Sequence, residues 1–291
     1  MPEIPLASTI LSRFDDLPPQ LRAAARFVLD YPEEVALLTT REQAKRAGVS
    51  PAALTRLAQR LGLDGYDDVR RQHAEALRSR GAGMRGRARD LVAARREAGE
   101  PGFTRAFIEA GAENLHALAR SEESTAALAA AADLLARART IYCLGRRSSF
   151  ASAFLANYLF GLLGRASVLV EGPGEGGLDR LAAIGPQDVL LAVSVRPNAR
   201  PVREAMRYAR ERGARLVAVT DGRHTTIARL ADVAVPVRIE TLSFFHATTP
   251  TLAAVEALAA LVAARLGDAA LEAVAESEGR LARFGAYDDD D

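Results

Sequence analysis

Two segments rich in arginine and serine each follow an apolar run in the C-terminal half of the chain. "LGRRSSF" comes after "TIYC", and "VSVRPNARPV" closes the run that begins with "DVLLA". Hydroxyl and guanidinium groups beside a helix N-terminus suit the binding of phosphate or a similar anion. The candidate ligand-binding residues of the two segments are Gly145, Arg146, Arg147, Ser148, Ser149, Ser194, Arg196, Asn198 and Arg200. The alternative is that both segments are solvated loops that cap helices.

A third polar segment, "TLSFFHATTP", adds Ser243 and His246 to the candidate ligand-binding residues. It lies just before the last apolar helical pattern, and a structural role for His246 is the alternative. The four histidines have no metal-ligand spacing, and no sharp turn presents a nucleophile. We therefore predict no metal, no cofactor and no catalytic residue. An aldose–ketose isomerase would need a base, for which His224, Glu240 and His246 are the candidates.

The segment "GPGEGG" matches the dinucleotide-binding pattern G-x-G-x-x-G through Gly172, Gly174 and Gly177. That fingerprint needs a long helix directly after the glycines and an acidic residue at the end of the next strand. Here "IGPQD" interrupts the chain, and Asp188 begins the next apolar run. We interpret the segment as a flexible loop, with dinucleotide sensing as an alternative.

A helix-turn-helix pattern occupies residues 39–62, "TTREQAKRAGVSPAALTRLAQRLG". Thr39 or Thr40 can form a capping box with the acid or amide three residues later. Gly48 suits the left-handed residue that ends the first helix. Ser50 is a strong N-cap and Pro51 is favoured at the first helical position, so the second helix is predicted to begin there.

The second of these helices has the order of side chains that a DNA recognition helix needs. Its predicted outward face comprises Ser50, Ala52, Ala53, Thr55, Arg56, Gln59 and Arg60. Arg56 is placed to pair with a guanine edge, and Thr55 to touch a base or a thymine methyl group. We predict contacts with bases or phosphates for Arg41, Lys45, Arg46, Ser50, Pro51, Ala52, Thr55, Arg56 and Arg60. An ordinary helical hairpin is the alternative, and Gln43 stands where such a first helix usually buries an aliphatic residue.

The surrounding patterns predict two domains of different class. Residues 1–80 show helical patterns only, and residues 81–101 are predicted to be a partly helical linker. From residue 140, continuous apolar runs alternate with helical patterns, which predicts a doubly wound parallel sheet within an α/β domain over 102–267. Residues 268–291 are predicted to be a C-terminal tail. One helical pattern, in 147–163, has its apolar residues on one stripe: Ala151, Phe154, Leu155, Tyr158, Leu159 and Leu162.

Composition limits the classes of protein that fit. A net charge of +1 over 291 residues excludes a chain that is basic throughout but allows a local basic face. Cys143 lies in an apolar run, which predicts a buried, inert thiol. The apolar stretch 251–266 is interrupted by Glu256 and Arg265 and is short for a membrane span, and no secretory leader pattern is evident. We therefore predict a cytoplasmic protein with no membrane partner.

The segments "YPEEVA", "AKRAGVS" and "RLGLDGY", followed by "GARLVAVTD" and "SFFH", resemble in this order the RpiR family of bacterial transcription regulators. That family joins an N-terminal helix-turn-helix domain to a sugar isomerase (SIS) domain that senses phosphosugars or related metabolites. The resemblance covers nearly the whole chain. It implies an all-α helix-turn-helix domain followed by a doubly wound α/β domain of SIS type.

One loop departs from the commonest family pattern. Many SIS domains carry Ser-x-Ser-Gly-x-Thr at the phosphate loop, whereas this chain has "SVRPNAR". Ser194 matches the first serine, but Arg196, Pro197 and Ala199 stand at the positions of the second serine, the glycine and the threonine. The first loop also has Arg147 in place of its second glycine. Arginine can supply a charge-assisted substitute for the hydroxyl groups.

The resemblance implies a DNA-binding transcription regulator that responds to a phosphosugar or similar anionic metabolite. We therefore predict two partners besides the metabolite. One is operator DNA, and the other is a second copy of the chain, in a homodimer or dimer of dimers that matches a two-fold operator. The alternative is a phosphosugar isomerase on the same α/β scaffold.

Overall fold

A computed structural model describes residues 6, 9–10, 13–14, 16–81, 83–171, 176–223 and 225–286. The chain divides into two compact units, Met1–Ala94 and Arg95–Asp291. The first is helical in its described part, and the second contains a five-stranded sheet. The predicted change from an all-α to an α/β class is therefore confirmed.

Five helices of the N-terminal unit surround one apolar core. They are α1 (Pro19–Asp30), α2 (Pro32–Leu37), α3 (Thr40–Ala47), α4 (Pro51–Arg60) and α5 (Tyr66–Gly81). The core includes Ala25, Val28, Leu54, Leu57 and Val69. Because each helix buries only one stripe, the opposite face of each remains available to solvent or to a partner.

A long helix, α6 (Gly83–Arg120), crosses the division between the two units along the chain. Its regular geometry is interrupted at Gly99, which has φ 69° and ψ 169°, two residues before Pro101. The described part of the predicted linker, 81 and 83–101, is thus helical apart from this interruption. Helix α7 (Glu122–Arg137) follows after Ser121, whose side chain accepts a hydrogen bond from Ser124 N.

The C-terminal unit is built on one parallel sheet. Its strands are β1 (Ile141–Gly145), β2 (Ser167–Leu169), β3 (Val189–Val193), β4 (Arg215–Thr220) and β5 (Val233–Pro236), in the order β2-β1-β3-β4-β5. All four neighbouring pairs are parallel, with Ile141 opposite Val189 and Val193 opposite Val219. This is the predicted doubly wound sheet.

Helices cover both faces of the sheet, as the continuous apolar runs predicted. The helices after β1 are α8 (Phe150–Leu162), α9 (Arg200–Glu211), α10 (Thr226–Leu230), α11 (Thr249–Leu266) and α12 (Asp268–Arg283), of which α12 packs against α8 and α11. Side chains of α7, α8 and α11 pack with Cys143 and Leu191 on one face. Side chains of α9 and α10 pack with Leu144 and Leu190 on the other.

The predicted apolar stripe of α8 does not lie wholly against the sheet. The buried residues of this helix are Ser152, Ala153, Ala156 and Phe160, whereas Phe154 is 53% exposed and Tyr158 44% exposed. Three of the four buried residues are small, which lets the helix backbone approach the strands closely, and Phe160 is the one large side chain on that side. Phe154 and Tyr158 lie on the exposed side of the helix.

Two further sequence predictions concern the C-terminal end. The prediction that 268–291 form a tail is wrong for 268–283, which form α12. Ser277 Oγ of this helix donates to Leu162 O at 3.1 Å. The final "YDDDD" (287–291) lies outside the described residues. Helix α11 is long and apolar enough to cross a membrane by length and composition alone. Its Val255 and Leu258 are fully buried in the core beside the sheet, which accounts for that composition.

Candidate functional site

The first helix of the helix-turn-helix begins at a complete capping box. Thr39 Oγ1 accepts from Glu42 N at 3.3 Å, and Thr39 N donates to Glu42 Oε2 at 2.9 Å. Of the two threonines that the sequence left open, Thr39 is therefore the N-cap. Hydrogen bonds from Thr39 lower the pKa of the Glu42 carboxyl group, so Glu42 remains ionised in the helix's first turn.

The turn between the two helices follows the predicted pattern. Gly48 has φ 67°, in the left-handed region, and Val49 N donates to Ala44 O at 2.9 Å. Ser50 Oγ accepts from Ala53 N at 3.2 Å, and Pro51 occupies the first position of α4. Because both ends of the turn are fixed by local hydrogen bonds, the start of α4 is held in a defined place.

One side of α4 is exposed along its length. Ala53, Leu54, Leu57 and Ala58 are buried, so the expectation that Ala53 faces outward is wrong. Ala53 lies one helical turn before Leu57, and a turn of 3.6 residues places both on the inner stripe. The residues with exposed or half-exposed side chains are Ser50, Pro51, Ala52, Thr55, Arg56, Gln59 and Arg60.

Exposed cations of α3 lie in the same unit. Arg41, Lys45 and Arg46 are exposed. Arg46 forms an ion pair with Glu34 at 2.7 Å. Any phosphate that Arg46 binds must therefore compete with this carboxylate.

Gln43, which departs from the usual aliphatic pattern, is fully buried and makes three hydrogen bonds. Its Nε2 donates to Val35 O at 3.0 Å and to Leu38 O at 2.8 Å, and its Oε1 accepts from Tyr66 Oη at 2.7 Å. The amide thus joins α3 to α5 and to the end of α2. Burial raises the pKa of Tyr66 by more than the nearby Arg70 charge lowers it, which keeps its hydroxyl group a donor.

In the C-terminal unit, the candidate ligand loops lie at the point where the strand order reverses. β1 and β3 are neighbours, while the chain leaves β1 towards β2 on one side and leaves β3 towards β4 on the other. Ligands of doubly wound sheets bind in the crevice outside the carboxyl ends of such strands. The loops after β1 and β3 are those that the sequence selected.

The loop after β1 is tight. A Cβ atom at Gly145 would lie 2.1 Å from Ser149 O, so only glycine fits there. Arg147 has φ 56°, in the left-handed region that glycine favours and other residues seldom adopt. This is the position where the family pattern has glycine. Ser149 is buried, and Arg146 is half-buried.

The segment before α11 reaches the loop after β1. Ser148 Oγ lies 3.0 Å from His246 Nε2, in hydrogen-bonding contact, and the ring of Phe245 lies 4.1 Å from that of His246. Ser243 is turned towards its own segment, since its Oγ accepts from Phe245 N at 3.4 Å. Asn114 of α6, which is buried, donates from Nδ2 to Glu240 O at 2.6 Å and so fixes the start of this segment.

The loop after β3 is closed by contacts within the protein. Ser194 Oγ donates to Asn198 Oδ1 at 3.0 Å. Arg196 forms an ion pair with Asp221, a residue that the sequence analysis did not select. Asp221 could have been selected from its position directly after β4, at the same edge of the sheet as the loop after β3. Arg200 is exposed at the start of α9.

The candidate bases for an isomerase are only partly described. Glu240 pairs with Arg238, and the hydrogen bond that Arg238 donates to the Glu240 carboxylate raises the pKa of the guanidinium. His246 is in contact with Ser148, while His224 lies outside the described residues.

Two other sequence interpretations concern the sheet. Gly172 and Gly174 lie outside the described residues, and Gly177 belongs to a short 3-10 helix, Gly176–Leu181, rather than the long helix that a dinucleotide site needs. Cys143 is fully buried, and burial raises the pKa of its thiol, as predicted for an inert group.

Residues 4–80 match the helix-turn-helix domain of the rpiR family, and residues 134–261 match the SIS domain. The chain is 26% identical over 220 residues to the HTH-type transcriptional regulator HexR of Pseudomonas aeruginosa, a match that covers 74% of this chain and 73% of HexR.

Two solved structures share the fold. One is the sugar isomerase domain of an RpiR transcription factor from Sphaerobacter thermophilus, with a TM-score of 0.53, 24% identity, and coverage of 59% of this chain and 97% of that domain. The other is the NanR protein of Vibrio vulnificus complexed with ManNAc-6P, with a TM-score of 0.57, 18% identity, and coverage of 97% of this chain and 100% of NanR.

An N-terminal helix-turn-helix and a C-terminal SIS domain in one chain define a class of transcription regulators. Within that class, the helix-turn-helix domain of this chain belongs to the rpiR family.

Proposed function

We propose that the exposed side of α4 binds operator DNA and that the crevice of the SIS domain binds a phosphosugar or similar anionic metabolite in the cytoplasm. The observation that carries the DNA proposal is the capped, exposed start of α4 at Ser50 and Pro51, followed one to two turns later by the exposed Arg56. A recognition helix enters the major groove with its N-terminal residues. Arg56 then reads a guanine edge, and Arg41, Lys45, Arg46 and Arg60 bind phosphates.

Arg56→Ala tests the DNA proposal. Loss of a bidentate contact to guanine costs about 1–3 kcal/mol of specific binding. Fluorescence anisotropy would compare DNA from upstream of the protein's own gene with random DNA of equal length. The matched control is Arg60→Ala, which removes a phosphate contact and weakens binding to both DNAs alike. Equal losses on both DNAs for Arg56→Ala would contradict the base-reading role.

The metabolite proposal is supported by groups that converge on the crevice. Ser148 and His246 are in contact there, and within the described chain the guanidinium groups of Arg146, Arg147 and Arg200 form no ion pair. NanR of Vibrio vulnificus, which shares the fold, is complexed with ManNAc-6P, a phosphosugar. The test is DNA binding with and without a panel of phosphosugars that includes ManNAc-6P. A panel that never changes DNA affinity would contradict sensing of this ligand class.

We propose that the crevice binds its ligand without turning it over. Glu240, one candidate base, is already paired with Arg238, and the remaining described candidate, His246, is in contact with the hydroxyl group of Ser148. Incubation of the purified protein with pentose and hexose phosphates, followed by separation of aldoses and ketoses, should show no conversion. Measurable conversion would favour the isomerase alternative.

We propose that two copies of the chain associate through the outer face of α8. No charged residue occurs from Phe150 to Leu163, yet Phe154 and Tyr158 are exposed. A helix that is apolar on all sides is usually buried in the assembled protein. Homodimer interfaces are also more apolar than the remaining surface. An uncharged face offers no complement to a charged partner, so a second copy is the occupant that fits. A dimer also matches the two-fold symmetry of operators.

A further inference from the structure

The carboxylate of Asp221 is the most deeply enclosed acidic group at the ligand-binding edge of the sheet among the described residues. Its side chain is 1% exposed and lies directly after β4. Oδ1 accepts from the backbone N of Arg196 at 3.1 Å, and Oδ2 accepts from Arg196 Nε. Both oxygen atoms are therefore bound by one residue of the loop after β3.

The two groups that donate to Asp221 are of the type that proteins use to bind a ligand anion. A backbone N–H group together with a guanidinium N–H is a frequent means by which proteins hold phosphate or carboxylate. Here the two donors come from a loop at the switch point of the sheet, where external ligands bind. In this structure the anion that the two donors bind is the carboxylate of Asp221, a group of the protein itself.

The remaining polar side chain at the base of this loop is also satisfied internally. Ser194 is 3% exposed, and its hydroxyl group donates to Asn198 Oδ1 at 3.0 Å. A hydroxyl group has one proton to donate, so Ser194 offers none to a phosphate while this bond is present.

The loop after β1 has the opposite character. Arg147 is exposed and forms no ion pair in the described part of the chain, yet it keeps φ at 56°. A non-glycine residue in this region costs conformational energy, and such residues cluster at ligand clamps. The exposed guanidinium of Arg147 is therefore available to a ligand anion beside Ser148 and His246.

We propose that Asp221 fills the anion position of the loop after β3 from within the protein, so that the anionic group of the effector is bound at Arg147 on the loop after β1. This inference deepens the proposed function, on which it rests for the presence of an effector. It assigns to Asp221 the role of a specificity-determining residue: ligands with a second anionic group for the loop after β3 are rejected.

The test measures the affinity of the full-length protein for inorganic phosphate by isothermal titration calorimetry. Asp221→Ala frees both donors of Arg196, and we expect it to bind phosphate roughly tenfold more tightly than the wild-type protein does, because a charge-assisted site is opened. Adding Arg196→Gln to Asp221→Ala should remove the gain. Asp133→Ala is the matched control, since it takes one carboxylate from the ion pair with Arg265 and changes net charge equally.

Circular dichroism would establish that Asp221→Ala is folded; if it is not, Asp221→Asn removes the charge while keeping the shape and is assessed against the same outcomes. Equal affinities of the wild-type protein and a folded Asp221 variant would overturn the proposal, as would an equal gain in Asp133→Ala. Loss of wild-type phosphate binding on Arg196→Gln but not on Arg147→Gln would also overturn it. The assay contains no DNA, so a failure of the proposed sensing function would appear separately, as DNA affinity that no ligand changes.

Discussion

Gln43 and Tyr66, both buried, are joined by a hydrogen bond of 2.7 Å from the tyrosine hydroxyl group to the amide oxygen of the glutamine. The same amide donates to two backbone carbonyl groups through its nitrogen atom. The helix α3, which precedes α4, is therefore held by a polar group in an otherwise apolar core.

Removing the tyrosine hydroxyl group should destabilise the N-terminal unit. In Tyr66→Phe the Gln43 oxygen atom stays buried without its donor, which costs about 1–3 kcal/mol. Urea denaturation followed by circular dichroism would measure the loss. The control is Tyr31→Phe. Because Tyr31 is 51% exposed, this substitution should change the free energy of unfolding little. Equal effects of the two substitutions would contradict the role of the buried pair.

The same pair predicts a dependence on alkaline pH. Burial raises the pKa of Tyr66 in the folded protein, whereas the unfolded chain keeps the ordinary value of about 10. The stabilisation from the neutral hydroxyl group is therefore complete below that value and is lost as pH rises above it towards the folded-state pKa. We expect the free energy of unfolding to fall less steeply above pH ~10 in Tyr66→Phe than in wild type. Parallel pH profiles for the two proteins would argue against this assignment.

Gly145 should not tolerate a side chain. An alanine Cβ there would lie 2.1 Å from Ser149 O, so Gly145→Ala must displace the loop after β1 and should lower both the thermal midpoint and ligand affinity. Gly161, in α8, has nothing within 4 Å of an added Cβ, and Gly161→Ala should instead stabilise the helix by up to about 1 kcal/mol. Differential scanning fluorimetry would compare the two variants. A tolerated Gly145→Ala would mean that the close approach is absent in solution.

An ion pair to a buried carboxylate at the opposite edge of the sheet should matter more than a pair in which both side chains are partly exposed. Arg139 donates from Nε and Nη2 to the fully buried Asp188 at 2.9 and 2.7 Å, and these hydrogen bonds raise the pKa of Arg139. Arg139→Ala leaves a buried carboxylate with fewer donors, so the thermal midpoint should fall. Arg215→Ala, which removes a partner 3.6 Å from the more exposed Asp232, is the control and should lower it less. A larger fall of the thermal midpoint in Arg215→Ala than in Arg139→Ala would show that the burial of Asp188 does not determine the loss of stability.

Charge on the outer face of α8 should separate the two copies of the proposed dimer. Phe154→Glu places a carboxylate where two apolar faces meet, and its desolvation opposes association. Sedimentation velocity should then show monomer at concentrations where the wild-type protein is dimeric. Tyr208→Glu, at an exposed aromatic residue of α9, is the matched control. Unchanged sedimentation of the Phe154 variant would place the interface elsewhere.

Features fixed by neighbours along the chain could be predicted from the sequence. The capping box at Thr39, the left-handed Gly48 and the start of α4 at Ser50 each depend on residues within four positions. The parallel sheet was also predictable, because strands buried on both faces have continuous apolar runs.

Features fixed by distant residues could not be predicted in this way. The pairing of Arg196 with Asp221 joins positions 25 residues apart, and the sequence alone presented Arg196 as a free cation. Phe154 is exposed because the opposite side of α8, with Ala153 and Ala156, packs against the sheet. Ala53 is buried because the core of the N-terminal unit surrounds it. Helix α12 has three large apolar side chains, Leu271, Val274 and Leu281, and its Ser277 donates to a carbonyl group of α8.

The hydrogen bond from Asn114 to the main chain of Glu240 has a mechanical meaning. The segment that carries His246 is anchored at its start to the part of α6 that follows the interruption at Gly99, within the same unit. A displacement of that start must either break the hydrogen bond, which leaves the buried Asn114 amide without its acceptor, or move this part of α6 with it. A ligand that shifts the segment therefore works against the inertia of a whole helix and not against that of a loose loop.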